Sequence, residues 1–322
     1  MKTLTKFLSL LCLAALPFAA LGQGYPTKPI KLMVPYAAGG VSDILGRALA
    51  QKMTEILGQN MFVENRGGAA GALGTGLTAK EAPDGYNVVL SSLTAFAIAP
   101  AMNKNVTYDP VKDFTAVGGV AIAPNVLSID VNSPYKTLND IVNFAKANPG
   151  KLSFGSSGIG SVGHLSGEVL RVSTGGELLH VPYKSAGQAY PDVMAGSVTM
   201  VIDTLPSAIQ YIKQGKVRAV ALLSDKRSPL LPDVPTFAEA GFPEATLRFW
   251  FGIHGPAGMP PAVVQKLNEA LATALAAPDF RERLANLGAD PYPTTPAELQ
   301  ALVRSDVEKL AKTVKAAGIK TE

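Results

Sequence analysis

Short apolar runs rich in β-branched residues alternate along this chain with longer stretches whose apolar positions recur every three or four residues. Lys31 to Tyr36, Asn60 to Glu64, Asn87 to Ser91, Leu152 to Phe154, Leu178 to Tyr183, Val198 to Ile202 and Val217 to Leu223 read as strands. Asp43 to Leu57, Leu138 to Ala147, His164 to Ser173 and Pro206 to Gln214 read as helices. Strand followed by helix, repeated, predicts an α/β protein with mostly parallel sheets. Near the C-terminus, Thr295-Pro296-Ala297-Glu298 is a capping box with proline at the first helical position. Leu299, Leu302, Val303, Leu310 and Val314 then mark one packing face, and Gly318 closes the helix. Two longer extended stretches, Val117 to Asp130 and Leu247 to His254, are placed to pass between lobes. They divide the chain into a first lobe of residues 23–122 and 252–322 and a second of residues 123–251, with a hinge at the two crossings.

The ends and the composition narrow the class. Residues 1–22 carry Lys2 and Lys6, an apolar run through Leu16 and Phe18, and small residues before Gln23, the pattern of a cleaved secretory signal. That run is too short for a span of ~20 residues, and no later segment is long and uncharged enough for one. The single cysteine, Cys12, lies in the segment to be removed. A cysteine-free mature chain excludes disulfides, thiolate catalysis and cysteine-ligated metals together. Removing Lys2 and Lys6 lowers the net charge from +4 to +2, and the remaining Lys and Arg are scattered. No nucleic-acid partner is expected from such a surface.

Catalytic motifs are weak. Gly158-Ile159-Gly160-Ser161-Val162-Gly163 matches G-x-G-x-x-G between a strand and a helix. The acidic residue expected at the end of the following strand is missing, because that strand ends in Lys184. His164, His180 and His254 have no local metal-ligand spacing, and no metal or cofactor is expected. Ser156, Ser157 and Ser161 do not form a nucleophile elbow, and helix capping accounts for them equally well.

The small loops carry a clearer chemistry. In parallel α/β sheets, ligands sit beyond the carboxyl ends of strands. Helix starts there present unpaired N–H groups that hold an anion without a cationic side chain. The strand, glycine loop and helix unit occurs in both halves, as "MVPYAAGGVSD" and "SFGSSGIGSVGHL". Tyr36 to Ser42 and Arg66 to Gly71 supply donors in the first lobe, with hydroxyls from Ser91 to Thr94, Ser92 and Thr94 among them; Ser156 to Ser161 face them from the second. The ligand expected is a carboxylate. Tyr36, Phe96, Tyr183 and Trp250 either shape the far end of its pocket or pack the lobes. Asp203 either accepts a ligand amino or hydroxyl group or caps the helix near Pro206. Arg66 and Lys184 read as charge partners or, more simply, as solvated loop cations, and Asp43 complements the dipole of its own helix.

In order along the chain, "VPYAAGGVSDILGR", "VENRGGAAGALGT", "APDGYNVVLSS", "FGSSGIGSVGHL", "HVPYKSAGQAYPDVMAGSVTMVIDTLPSAI", "GKVRAVAL" and "LPDVPTFAEAGFP" resemble the signatures of Bug-type solute-binding proteins, the periplasmic receptors of tripartite tricarboxylate transporters. The resemblance covers nearly the whole mature chain. It implies a two-lobed periplasmic binding protein of type II-like fold, working as a monomer in the periplasm. Such a receptor closes on a small carboxylated solute and delivers it to the membrane permease subunits. It implies further that the carboxylate meets Ala38, Gly39, Gly40 and Ser42, partly through water, and Ser156, Ser157, Gly158 and Ser161. Ala37 and Ala38 stand where the family often has proline or a bulkier residue, which leaves open which acid is bound. The competing class is an exported α/β enzyme, a hydrolase or a dinucleotide-dependent one, which would turn its acid over.

Overall fold

The computed structural model describes residues 24–243, 247–316 and 318. The signal segment with Cys12 and the cleavage position before Gln23 lies outside the described residues. The chain begins with β1 (Ile30–Val34), α1 (Val41–Leu57), β2 (Met61–Asn65), α2 (Ala72–Thr78), β3 (Asn87–Ser92) and β4 (Phe114–Ile122). A second group follows: β5 (Asn125–Asp130), α3 (Leu138–Ala147), β6 (Leu152–Ser156), α4 (Val162–Thr174), β7 (Leu178–Pro182), α5 (Tyr190–Met194), β8 (Met200–Thr204), α6 (Leu205–Lys213) and β9 (Val217–Leu223). The chain then returns with β10 (Trp250–Pro256), α7 (Pro261–Ala276), α8 (Pro278–Asn286), β11 (Asp290–Pro291) and α9 (Pro296–Ala316).

Two sheets result, ordered β11-β4-β10-β3-β1-β2 and β7-β6-β8-β5-β9. In the first, β1 pairs in parallel with β2 and β3, whereas β10 is antiparallel to both β3 and β4. In the second, β6 is parallel to β7 and β8, and β5 is antiparallel to β8 and β9. Most strands of each sheet therefore point one way, as expected, and β10, β5 and the short β11 run against them. The reason for β5 and β10 is topological. Strands of a strand–helix unit end where the loops meet the helices, but β5 and β10 start just after a crossing, at that same end, and run away from it. The crossings are short: Ala123 and Pro124 separate β4 from β5, and Ala123 N–H donates to Phe249 O beside the returning strand.

Helices close over the sheets through small residues. A side chain at Gly46 of α1 would place its Cβ 2.7 Å from Val34 Cγ2 on β1, and one at Gly167 of α4 would collide with the Phe154 ring on β6. Leu45, Leu49 and Met53 of α1 are buried against the first sheet, each contributing roughly 1.5–3 kcal/mol by full burial. Thr137 caps α3 in a complete capping box with Asp140. At α9, the Thr295–Glu298 box closes reciprocally. No helix among the described residues is long and apolar enough to cross a membrane.

Candidate functional site

The loops after β1 and β6 lie at the carboxyl ends of parallel strands and share one construction. The same 121 residues separate Gly39 from Gly160, Gly40 from Ser161, Asp43 from His164 and Gly46 from Gly167. Gly39 and Gly160 both take left-handed backbone, φ +83° and +77°, which glycine adopts without steric cost. The two loops differ at the helix cap. Gly40 caps α1 with no side-chain bond, and the helical ladder begins only at Ile44, whose N–H donates to Gly40 O. The amides of Val41, Ser42 and Asp43 precede that ladder and carry the positive end of a 17-residue helix. In the second loop, Ser161 Oγ accepts the His164 N–H at 3.1 Å, so α4 caps itself.

Behind the first loop lies a buried carboxylate. Asp43 Oδ2 accepts the Gly39 N–H at 2.9 Å, and Oδ1 accepts from Asn65 Nδ2 and Arg47 Nη2, each at 2.9 Å. Burial works to raise the Asp43 pKa, but the hydrogen bonds from Arg47, Gly39 and Asn65 outweigh it and hold it below the usual range. Asn65 also donates to Tyr36 O at 3.2 Å. Ala37, Ala38, Gly39 and Gly40 are exposed, and Tyr36 and Ser42 half-buried. Tyr36 Oη and Ser92 Oγ are 2.7 Å apart, and Ser92 Oγ accepts the Ala95 N–H at 3.4 Å, where a π-turn, Thr94–Ile98, follows β3. Burial, opposed in part by Ser92 and Thr94, pushes the Tyr36 phenol up to about 12. The Arg66 to Gly71 loop packs on this tyrosine: a Cβ at Gly71 would meet its Cζ and Oη at 3.0 Å. Ala69 and Ala70 in that loop are themselves left-handed, φ +48° and +54°, at a cost of roughly 1–2 kcal/mol each.

The second loop is more self-contained than its sequence suggests. Ser156 is fully buried, and its Oγ lies 2.7 Å from His180 Nε2, 3.2 Å from the Gly158 nitrogen and 3.3 Å from Ser161 Oγ. His180 stacks on His164 at 4.0 Å and on Phe154 at 4.9 Å. Burial, and then the neighbouring His164, lowers the His180 pKa to about 4. Ser157 and Ile159 are exposed at the tip. A Cβ on Gly160 would lie 3.6 Å from Ala70 Cβ, so the loops of the two sheets face each other.

Other predicted residues fall elsewhere. Phe96 and Trp250 are fully buried in one aromatic cluster with Phe114 and His254, so they pack the first sheet. Tyr183 is half-buried beside the second loop and its hydroxyl donates to Asp192 Oδ2 at 2.5 Å. Asp203 sits at the end of β8, on the sheet face shared with Val126, Val201 and Tyr190. Its Oδ1 accepts the Thr204 N–H at 2.7 Å, and its Oδ2 has no partner among the described residues. Burial pushes its pKa up to about 6, with Ser207 and Thr204 offsetting part of the rise. Arg66 pairs with Glu64, and Lys184 is exposed. Two features escaped sequence reasoning, the Asp43–Gly39 bond and the His164–His180 stack; the equal spacing of glycine and side chain in both halves was the available signal. Among the described residues no cluster of His, Cys, Asp and Glu could hold a metal ion. A surface groove of about 590 Å³ beside Phe114, Met259 and Gln300 includes none of these loop residues.

The profile of the tripartite tricarboxylate transporter family receptors matches residues 45–319. The chain belongs to this family. A relative in Agrobacterium vitis, the UPF0065 protein in the TAR-I ttuE-ttuC' intergenic region, is 38% identical over 319 residues, covering 98% of this chain and 92% of its own. Protein BugT of Bordetella pertussis is 35% identical over 92% of this chain and 91% of its own. Solved structures that share the fold include three named proteins. The periplasmic binding protein BugD has a TM-score of 0.83 at 37% identity, and Rpa4515 of R. palustris with adipate 0.85 at 34%; each is covered in full against 92% of this chain. MatC of Rhodopseudomonas palustris with bound malate has a TM-score of 0.81 at 32% identity, covering 90% of this chain and all of its own. The receptor is thus a periplasmic solute-binding protein and not an enzyme, and the exported-enzyme alternative is set aside.

Proposed function

We propose that this receptor holds one small carboxylated organic acid between two lobes, residues 23–122 with 252–322 and residues 123–251, and delivers it as a monomer to the membrane permease subunits of a tripartite transporter. The observation that carries the reading is the open start of α1: Gly40 leaves the first-turn amides without a side-chain cap, whereas Ser161 fills the equivalent place on α4. A ligand carboxylate supplies the missing acceptor. Ala38, Gly40 and Ser42 would meet it from the first lobe, with Tyr36, Ser92 and Thr94 as a hydroxyl wall and Gly39 shaping the turn. Ser157, Gly158 and Tyr183 would close from the second, with Asp203 placed to accept a ligand amino or hydroxyl group, while Ser156 and Ser161 brace that side from within. The relatives solved with adipate and malate support this ligand class. Export would remove residues 1–22. Native mass spectrometry of protein purified from the periplasm tests the reading: a chain beginning near Gln23 and releasing one unmodified organic acid supports it, and a chain that converts the acid it carries overturns it.

A further inference from the structure

The residue three places into each loop helix reaches back four residues, past the helix cap, to the amide of the left-handed glycine. In the first lobe Gly39 N–H donates to Asp43 Oδ2 at 2.9 Å; in the second Gly160 N–H donates to His164 Nδ1 at 3.2 Å. An ordinary capping box has the third side chain bond the cap residue's own amide. Here both bonds fall one residue beyond it, on the loop.

We propose that Asp43 and His164 are matched positioning residues, one per lobe, that latch the two ligand loops; the inference rests on those loops holding the carboxylate. Glycine ranges widely over backbone space, so a loop pivoting on Gly39 or Gly160 keeps its shape only if something holds the pivot. Each latch turns one N–H inward, leaving the following amides to face the gap between the lobes. The difference in chemistry follows from what each lobe does. Asp43 is a charge behind an anion site, which by itself would repel the ligand, and Arg47 offsets that charge at 2.9 Å. Asn65 ties the same carboxylate to Tyr36 O, so the whole Tyr36 to Gly40 turn is braced. The second latch is an imidazole that accepts through an unprotonated nitrogen and adds no charge. Its stack on His180, which bonds Ser156, fixes the plane of the ring.

Four variants test this: Asp43→Ala, Asp43→Asn, His164→Ala and His164→Asn. The asparagines retain an acceptor oxygen and the alanines do not. Amide exchange of ligand-free protein, followed by NMR, should show Gly39 faster by about tenfold or more in Asp43→Ala with Gly160 unchanged, and the reverse in His164→Ala, as loss of a roughly 1.4 kcal/mol bond requires. Calorimetry with adipate and malate should show both alanine variants weakened by about tenfold, with each asparagine variant recovering most of the loss. Unchanged glycine exchange in the alanine variants, or asparagine variants as weak as alanine, would overturn the inference. Wild-type protein binding neither acid would exclude those two dicarboxylates and leave the ligand class standing, while the exchange data, taken without ligand, still decide the latches.

Discussion

Gly40, unlike the left-handed Gly39 beside it, can be replaced without backbone strain. Its backbone, φ −79° and ψ 170°, suits any residue, and an added Cβ would meet only Ala37 O at 3.6 Å, an ordinary contact. Gly40→Val should therefore fold normally while filling the space before the open amides. We expect an affinity loss of about tenfold or more for the carboxylate, since hydrogen bonds to charged groups are worth roughly 1.5–3 kcal/mol. Calorimetry beside a melting curve checks it: equal affinity at equal stability would move the anion off this loop. Asp203 makes a different prediction. Its native pKa, about 6, lies above the unfolded value near 4, so its contribution to stability is present below pH ~4 and is lost as pH rises through about 6. Asp203→Asn removes that dependence. Urea unfolding should show the variant gaining on the wild type between pH 4 and 7, by an amount on the order of 3 kcal/mol at most. A gap independent of pH would mean the carboxyl ionises normally.

At the scale of elements, the loop between β6 and α4 depends on an imidazole that stays neutral. His180 has a native pKa of about 4, below the unfolded value of roughly 6.5. Its contribution is present above about 6.5 and is lost as pH falls through about 4, opposite in sign to that of Asp203 over the same window. His180→Phe keeps a ring between Phe154 and His164 and removes the titration. Unfolding free energies at intervals across that window should fall less steeply with acid in the variant, and an identical slope would exclude His180 as the source. Much of this level was legible in the sequence. Leu138 to Ala147 and Val217 to Leu223 match α3 and β9 residue for residue, because the first has a capping box and the second is a short, mostly apolar run. The glycine loops were legible as strand-to-helix turns from the change of period around them. What they are braced by was not. The Asp43 carboxylate meets Asn65, 22 residues away, only once β2 lies beside β1. His180 reaches the Ser156 loop only through the Phe154↔His180 register of β6 and β7. Such partners are set by sheet pairing, which leaves no local pattern. Ser156 illustrates the consequence, since its sequence context reads as a donor to ligand and its side chain is spent inside the loop.

For the molecule as a whole, the two short crossings and the facing loops predict domain closure. Binding should pull the lobes together and lower the radius of gyration in small-angle scattering, whereas an unchanged radius at saturation would place the site within one lobe. The central claim is that an acid is held between the lobes through its carboxylate on backbone donors. Calorimetric titration of the acid released from purified protein, against the methyl ester of that same carboxylate, tests it most directly. The acid should bind one site per chain, and the ester at least about tenfold more weakly, having lost a charge-assisted bond. An ester that binds as tightly as the acid would contradict the account.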